Sequence, residues 1–254
     1  MGDDMLRRGL RLLTALTDHP GGVGVSAAAR AAALPVSSAH RLLGLMAEEG
    51  YVAYDPAARS YALGYRALEL ARGFSRSPAG FQDARGPMRR LAARTGLAAI
   101  AGILDRDEVL LVLSVDGRQH LQLRSEEGTR NAWHATSLGK ALVAALPTED
   151  QERLLAAPLK PSTPRTVVDP AALRDELATV AGRGWAEVEE ENEVGVRSIA
   201  VCVPSPDPSP DPAAGQPRLA ISLGATVLLT GREELRTHVP ALQEAAREVA
   251  AGIP

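Results

Sequence analysis

Cysteine is nearly absent from the 254 residues. Cys202 stands alone, so neither an internal disulfide nor a multi-thiolate zinc or iron–sulfur site can form. That usage fits a reducing compartment, and the cytoplasm is the expected location. Lysine is equally scarce, with Lys140 and Lys160 alone among 28 basic residues, and the 31 acidic residues leave a net charge of −3. A chain that coats nucleic acid usually carries a large positive excess, so any case for DNA has to rest on pattern. Aromatics make up 3%. No run approaches the roughly 20 apolar residues that cross a bilayer, and the opening residues lack the apolar stretch of a secretory leader, so no membrane partner is expected. His19, His40, His120, His134 and His238 are scattered without the paired spacing of a zinc site. Gly-x-Ser-x-Gly, phosphate-loop and dinucleotide fingerprints are missing too. We therefore expect no catalytic residue, no metal and no cofactor.

What is present begins with an amphipathic helix over Met5–Thr17, in which Leu6, Leu10, Leu13 and Leu16 recur at helical spacing. After Pro20-Gly21-Gly22, Ser26 is placed to cap a short alanine-rich helix, 27–33. Leu34-Pro35-Val36 makes a turn, and Ser37 or Ser38 is placed to cap a third helix that runs to about Glu49 and stops at Gly50. On that helix Ala39, Leu42, Leu43 and Met46 share one stripe, while Ser37 and Arg41 point away, flanked by Ser38 and His40. Two short helices and a tight turn, the second helix offering Ser, His and Arg at its start, predict a helix-turn-helix whose second helix enters a major groove. Runs 51–54 and 60–63 flank Asp55–Arg59, predicting a hairpin with Arg59 at its edge. An ordinary helical bundle with a hairpin cap fits the spacing equally well.

A helix over 63–74, with Leu63, Ala67, Leu70 and Ala71 on one side, leads to a break at Ser75-Arg76-Ser77-Pro78. Beyond it, a helix at 83–94 precedes extended runs at 97–104, 109–115 and 119–124. His134–Leu146 opens with hydroxyl and glycine residues and becomes an apolar helix whose N-terminus suits an anion. Further helices start at Thr148 and at Asp169-Pro170, the latter ending at Gly182 or Gly184. Strands follow at 185–190, 199–203 and 219–223. A capping box at Thr230–Glu233 opens a last helix that buries Leu235, Val239, Leu242, Ala246 and Val249. The fold class is α+β with a mainly antiparallel sheet. Six prolines between 204 and 217 deny that stretch regular structure. The acidic run Glu187–Glu193 reads as a solvated strand and turn in preference to a metal site or an acid–base pair. Cys202 reads as a buried, inert thiol.

Leu34-Pro-Val-Ser-Ser-Ala-His-Arg-Leu-Leu43, Glu48-Glu-Gly-Tyr51 and Tyr61-Ala-Leu-Gly64 resemble the winged helix of the IclR family of bacterial transcriptional regulators. His134-Ala-Thr-Ser-Leu-Gly-Lys-Ala-Leu142, Thr163-Pro-Arg-Thr166, Asp169–Arg174 and Glu190–Ala200 resemble, in order, that family's effector-binding domain. The resemblance spans nearly the whole chain. It implies an N-terminal winged helix-turn-helix (1–64), a linker helix (65–80) and a C-terminal GAF-like antiparallel sheet flanked by helices (81–254). It implies a double-stranded DNA operator, pseudo-palindromic and bound by a dimer or dimer of dimers, as one partner. Ser37, Ser38, His40, Arg41 and Arg59 are the DNA-binding candidates. Val36 departs from the basic or polar residue that the family often carries there.

The second implied partner is a small-molecule effector, an organic acid or related metabolite, aromatic acids included. Main-chain N–H groups at Ser137, Leu138 and Gly139, the hydroxyls of Ser198 and Ser222, and apolar walls at Leu123 and Ile199 are the candidate contacts. Glu189 is a further candidate contact, and Glu189 or Glu191 turning inward would repel an acid and favour a hydroxyl or amine. Many relatives carry Cys in place of Ser198 and a hydroxyl in place of Gly224. Trp133 is placed to stack on an aromatic ligand or to pack at a subunit contact. Two other readings stand beside the regulator: an enzyme acting on a small acid, and a winged-helix interaction module that has lost DNA binding.

Overall fold

The computed structural model describes residues 5–75, 81–118, 125–204 and 218–252. The chain divides into two compact units, Met1–Ser77 and Pro78–Pro254. The expected run at 119–124, with His120 and Leu123, and all but Pro204 of the Pro-rich stretch lie outside the described residues.

The first unit holds α1 (Met5–Thr17), β1 (Val23–Gly24), α2 (Val25–Ala31), α3 (Val36–Glu48), β2 (Val52–Asp55), β3 (Ser60–Leu63) and α4 (Tyr65–Ser75). The three strands form an antiparallel sheet of order β1-β3-β2, in which β1 adds to the expected hairpin. The core is built from Leu12 and Leu16 of α1, Ala28 and Ala29 of α2, Ala39, Leu42 and Leu43 of α3, and Val52 and Tyr61 of the hairpin. On α1 the buried positions are Gly9, Leu12 and Leu16, whereas Leu6 and Leu10 are 68% and 55% exposed, which corrects the expected stripe. The cause is close approach: a Cβ on Gly9 would stand 2.7 Å from Met46 Cε, so the helix turns its glycine edge inward. Neither Ser26 nor Ser37 or Ser38 caps a helix. The N-caps are Gly24 and Pro35, and neither end has a side-chain cap. The expected apolar side of α4 is not buried.

The second unit holds α5 (Gln82–Thr95), β4 (Ala98–Asp105), β5 (Glu108–Val115), β6 (Arg130–Ala132), a 3-10 turn (Trp133–Ala135), α6 (Ser137–Ala144), α7 (Thr148–Leu155), α8 (Pro170–Arg183), β7 (Ala186–Glu189), β8 (Val196–Cys202), β9 (Leu219–Thr226), α9 (Arg232–Arg236) and α10 (Val239–Gly252). Its strands make one antiparallel sheet of order β6-β5-β4-β9-β8-β7. Helices cover both faces. Ala99, Ala101 and Ile103, Ile199 and Val201, and Ile221 and Leu223 face α5, α9 and α10. Ile100, Ala200 and Ala220 face α6, α7 and α8. The sheet is thus the middle of three layers, and strand alternation assigns each side chain to one of two cores. The expected last helix is two: Glu234 accepts from the Gly231 N–H at 3.2 Å, one residue later than the predicted box, and α10 follows after a break.

Candidate functional site

On α3, Ser37, His40 and Arg41 are exposed and Ser38 is half-buried, while the opposite side is core. The Arg41 guanidinium lies 3.9 Å from the Met5 sulfur and stays at the surface. With Pro35 as N-cap and no side chain closing the helix end, the first-turn N–H groups point outward, an arrangement that suits a phosphate. The wing turn is built by Asp55, whose Oδ1 accepts from Ala57 N and Ala58 N at 2.8 and 3.2 Å. Arg59 is exposed at its end, in left-handed backbone with φ 51°. Four of the five predicted DNA-binding residues are therefore exposed on the first unit, and Ser38 is half-buried beside them.

In the second unit, α6 begins at Thr136, whose hydroxyl accepts the Gly139 N–H at 3.0 Å. That donor is occupied by its own cap, which corrects its expected role as an anion contact. Gly139 serves close packing instead, because a Cβ there would lie 2.1 Å from the Trp133 carbonyl oxygen. Ser137, 1% exposed, meets Ser198 of β8 hydroxyl to hydroxyl at 2.7 Å. Ser222 lies on the same sheet face and donates to the Ile100 carbonyl at 3.3 Å, and Leu138 joins that core. Ile199 does not belong with them. It is buried on the opposite face against α5 and α10, a correction that strand parity alone enforces. Trp133 is buried in the α6 core, edge-on to His134 at 5.7 Å. His134 Nε2 bonds the Lys160 carbonyl at 3.1 Å, and burial pulls its pKa down.

The acidic run is solvated only in part: Glu193 is exposed, whereas the carboxylates before it are paired. Glu187 pairs with Arg232 and Arg236 at 3.1 and 2.8 Å, and Glu189 with Arg197 and Arg232, both at 3.3 Å. Glu191 turns inward and takes both carboxylate oxygens to Lys140 Nζ at 2.8 Å. Lys140 is 1% and Glu191 7% exposed. Glu176 of α8 approaches the same ammonium at 2.6 Å. Burial pushes the Glu191 carboxyl above its ordinary range, against the pull of Lys140. Thr163 and Thr166 fix this corner, donating to the Glu190 and Glu191 carbonyls at 2.5 and 2.6 Å. Lys140, Glu176 and these threonines are not among the site residues that sequence reasoning singles out. The one available signal is a lone lysine inside an apolar helix start. A cavity of about 580 Å³ opens beside them, lined by Lys140, Arg165, Glu176, Arg183, Glu189 and Arg232 among others. A second, of about 280 Å³, lies between α6 and α8 and is lined by alanines, Trp185 and Cys202, whose thiol pKa burial raises. Among the described residues no group of His, Cys, Asp and Glu could hold a metal ion, and no helix is long and apolar enough to cross a membrane.

Comparison with known proteins places these two units. Residues 81–251 match the family described as "Bacterial transcriptional regulator IclR C-terminal", and residues 5–56 match "IclR helix-turn-helix domain". The chain belongs to the IclR family. Among its relatives, the HTH-type transcriptional regulator BhcR of Paracoccus denitrificans is 32% identical over 85% of this chain and 76% of its own length. The structure of an IclR regulator from Alicyclobacillus acidocaldarius superposes over 100% of both chains with a TM-score of 0.87 at 22% identity, a likeness of fold. An IclR homologue from Microbacterium hydrocarbonoxydans, solved in complex with 4-hydroxybenzoate, covers 98% of this chain and 99% of its own, with a TM-score of 0.81 and 29% identity. This IclR-family chain is accordingly a transcriptional regulator with a helix-turn-helix unit and an effector-binding unit, and not an enzyme.

Proposed function

We propose that this regulator binds a pseudo-palindromic DNA operator as a dimer or dimer of dimers and releases or tightens it in response to a small organic acid. The observation that carries the DNA part is the division of α3 into a buried apolar stripe and an exposed face bearing Ser37, His40 and Arg41. Arg41 reads a base edge or a phosphate, and Arg59 adds a wing contact. One winged helix makes too few base contacts for a genomic address, so pairing is required. Exposed Leu10 on α1 and Tyr65, Leu68 and Leu70 on α4 give the first unit apolar surface for that pairing.

The effector site is the face of the sheet under the α6 start, where Ser137, Ser198 and Ser222 supply hydroxyls beside Leu138. The complex of the Microbacterium homologue with 4-hydroxybenzoate supports an aromatic acid as one member of the ligand class. Ligand acts by favouring one arrangement of the two units, altering the spacing of paired α3 helices through α4.

Fluorescence anisotropy with the duplex upstream of the chain's own gene tests the reading. Wild type should bind with a salt-dependent Kd, and Arg41→Ala should weaken it roughly 10- to 100-fold. A wild type that shows no specific, salt-sensitive binding would overturn it.

A further inference from the structure

We propose that Gly44 is kept bare so that duplex DNA can approach α3 closely, making it a positioning residue for operator recognition; this rests on the operator-binding reading above. With Ala39, Leu42 and Leu43 buried, an advance of about 100° per residue puts Ser37, Arg41, Gly44 and Glu48 on the stripe that faces away from the core. From Ser37 to Gly44 that stripe is roughly 10 Å long, close to the width of a major groove, about 12 Å. Glycine in a helix interior disfavours folding about four- to fivefold against alanine. Among the described residues nothing calls for it here. Gly44 does not adopt left-handed backbone, and a Cβ built on it meets no atom within 4 Å.

Gly9, Gly86 and Gly139 each have a local reason, and Gly252 is the last residue of α10. A Cβ on Gly9 would strike Met46 at 2.7 Å, and one on Gly139 would strike the Trp133 backbone at 2.1 Å. Gly86 precedes Pro87, whose ring restricts the residue before it. Gly73 and Gly182 also face open space, but they lie in the last turns of α4 and α8, where a helix frays. Gly44 alone of these sits in the middle of its helix with space above it and with Arg41 one turn away.

Direction matters as well as position. Helix side chains lean toward the N-terminus, so a side chain at position 44 would cover the patch beside Arg41 and fill the space that base edges need. The uncapped helix start and Arg41 lie toward one end of the stripe, and Glu48 lies at the other, where a carboxylate repels phosphate. The N-terminal half of α3 therefore goes in first, and Gly44 marks how far along the helix close contact extends.

The test pairs folding with binding. A duplex is selected from a random library with the full-length wild type, and Kd and urea unfolding midpoint are measured for Gly44→Ala, Gly44→Leu and, as a control off the stripe, Gly182→Ala. The proposal expects Gly44→Ala to raise the unfolding midpoint yet weaken binding by about fivefold or more, with Gly44→Leu weaker again by roughly tenfold. The salt slope should be unchanged, since no phosphate contact is removed. Gly182→Ala should leave Kd as it is. A Gly44→Ala Kd within about twofold of wild type overturns the proposal, and so does a variant that loses stability together with binding, which marks an ordinary folding role. A wild type that selects no duplex overturns the operator reading itself.

Discussion

Lys140 is the residue whose environment is hardest to build. An ammonium taken out of water costs several kcal/mol, and here that cost is met by the two oxygens of Glu191 and by Glu176 at its solvent-facing side. Removing one partner leaves the other charge buried, so the two single substitutions should differ. Lys140→Met strands Glu191 and should destabilise by about 3–5 kcal/mol at neutral pH, whereas Glu191→Gln leaves the ammonium its Glu176 partner and should cost less. The loss also has a sign with pH. A carboxyl whose folded pKa lies above the unfolded value of 4.5 contributes stability that is present below 4.5 and lost as pH rises through the folded value. Without Lys140 that folded value moves further up, so Lys140→Met should lie closer to wild type at pH 5 than at pH 8. Unfolding in urea at the two pH values measures it. An equal deficit at both would mean that Glu191 is not the stranded group.

At the scale of elements, α6 is fixed at its first turn by three contacts: the Thr136 cap, the Ser137–Ser198 hydroxyl pair and the backbone of Trp133 pressed against Gly139. Gly139→Ala drives a methyl into a carbonyl that belongs to the preceding turn and cannot move without moving Trp133, so it should cost about 3 kcal/mol and lower the melting temperature. A melting temperature within a degree or two of wild type would show that the turn has slack. This corner also shows what a sequence displays and what it hides. Thr136-Ser-Leu-Gly139 reads as a helix start because capping is local, and the strands read as strands because their apolar runs are bounded by turns. The side of the sheet that Ile199 takes is hidden because both faces are buried, so apolar residues fall on both parities and alternation loses its meaning. The inner side of α1 is hidden for a related reason. Leucines at 6, 10, 12, 13 and 16 ring the helix, and the contact of Gly9 with Met46, distant in sequence, decides which side is inner. Lys140 and Glu191 are 51 residues apart, and no periodicity links them.

For the molecule as a whole, one chain carries a helix-turn-helix unit and an effector-binding unit, and the proposed regulation requires that the two be coupled. Coupling is reciprocal: if a saturating ligand changes operator Kd by some factor, saturating operator changes ligand Kd by the same factor. Candidate acids, with 4-hydroxybenzoate first, are found by the rise in melting temperature that binding to the folded state alone produces, about 2.7 kcal/mol of added stability at a hundredfold excess over Kd. Ser137→Ala and Ser198→Ala should abolish that rise if the hydroxyl pair holds the ligand. The acid so identified should shift operator affinity by about 5- to 150-fold, the usual range for coupled sites, and calorimetry of the ligand with and without operator should return the same factor. Operator binding should also weaken on dilution below the dimer dissociation constant, and Leu10→Glu, which puts charge into the exposed apolar face of α1, should raise that constant and the operator Kd together while leaving ligand affinity in the absence of DNA unchanged. A ligand that raises the melting temperature but leaves operator affinity untouched would break the link between the two units and with it the regulatory reading of the site.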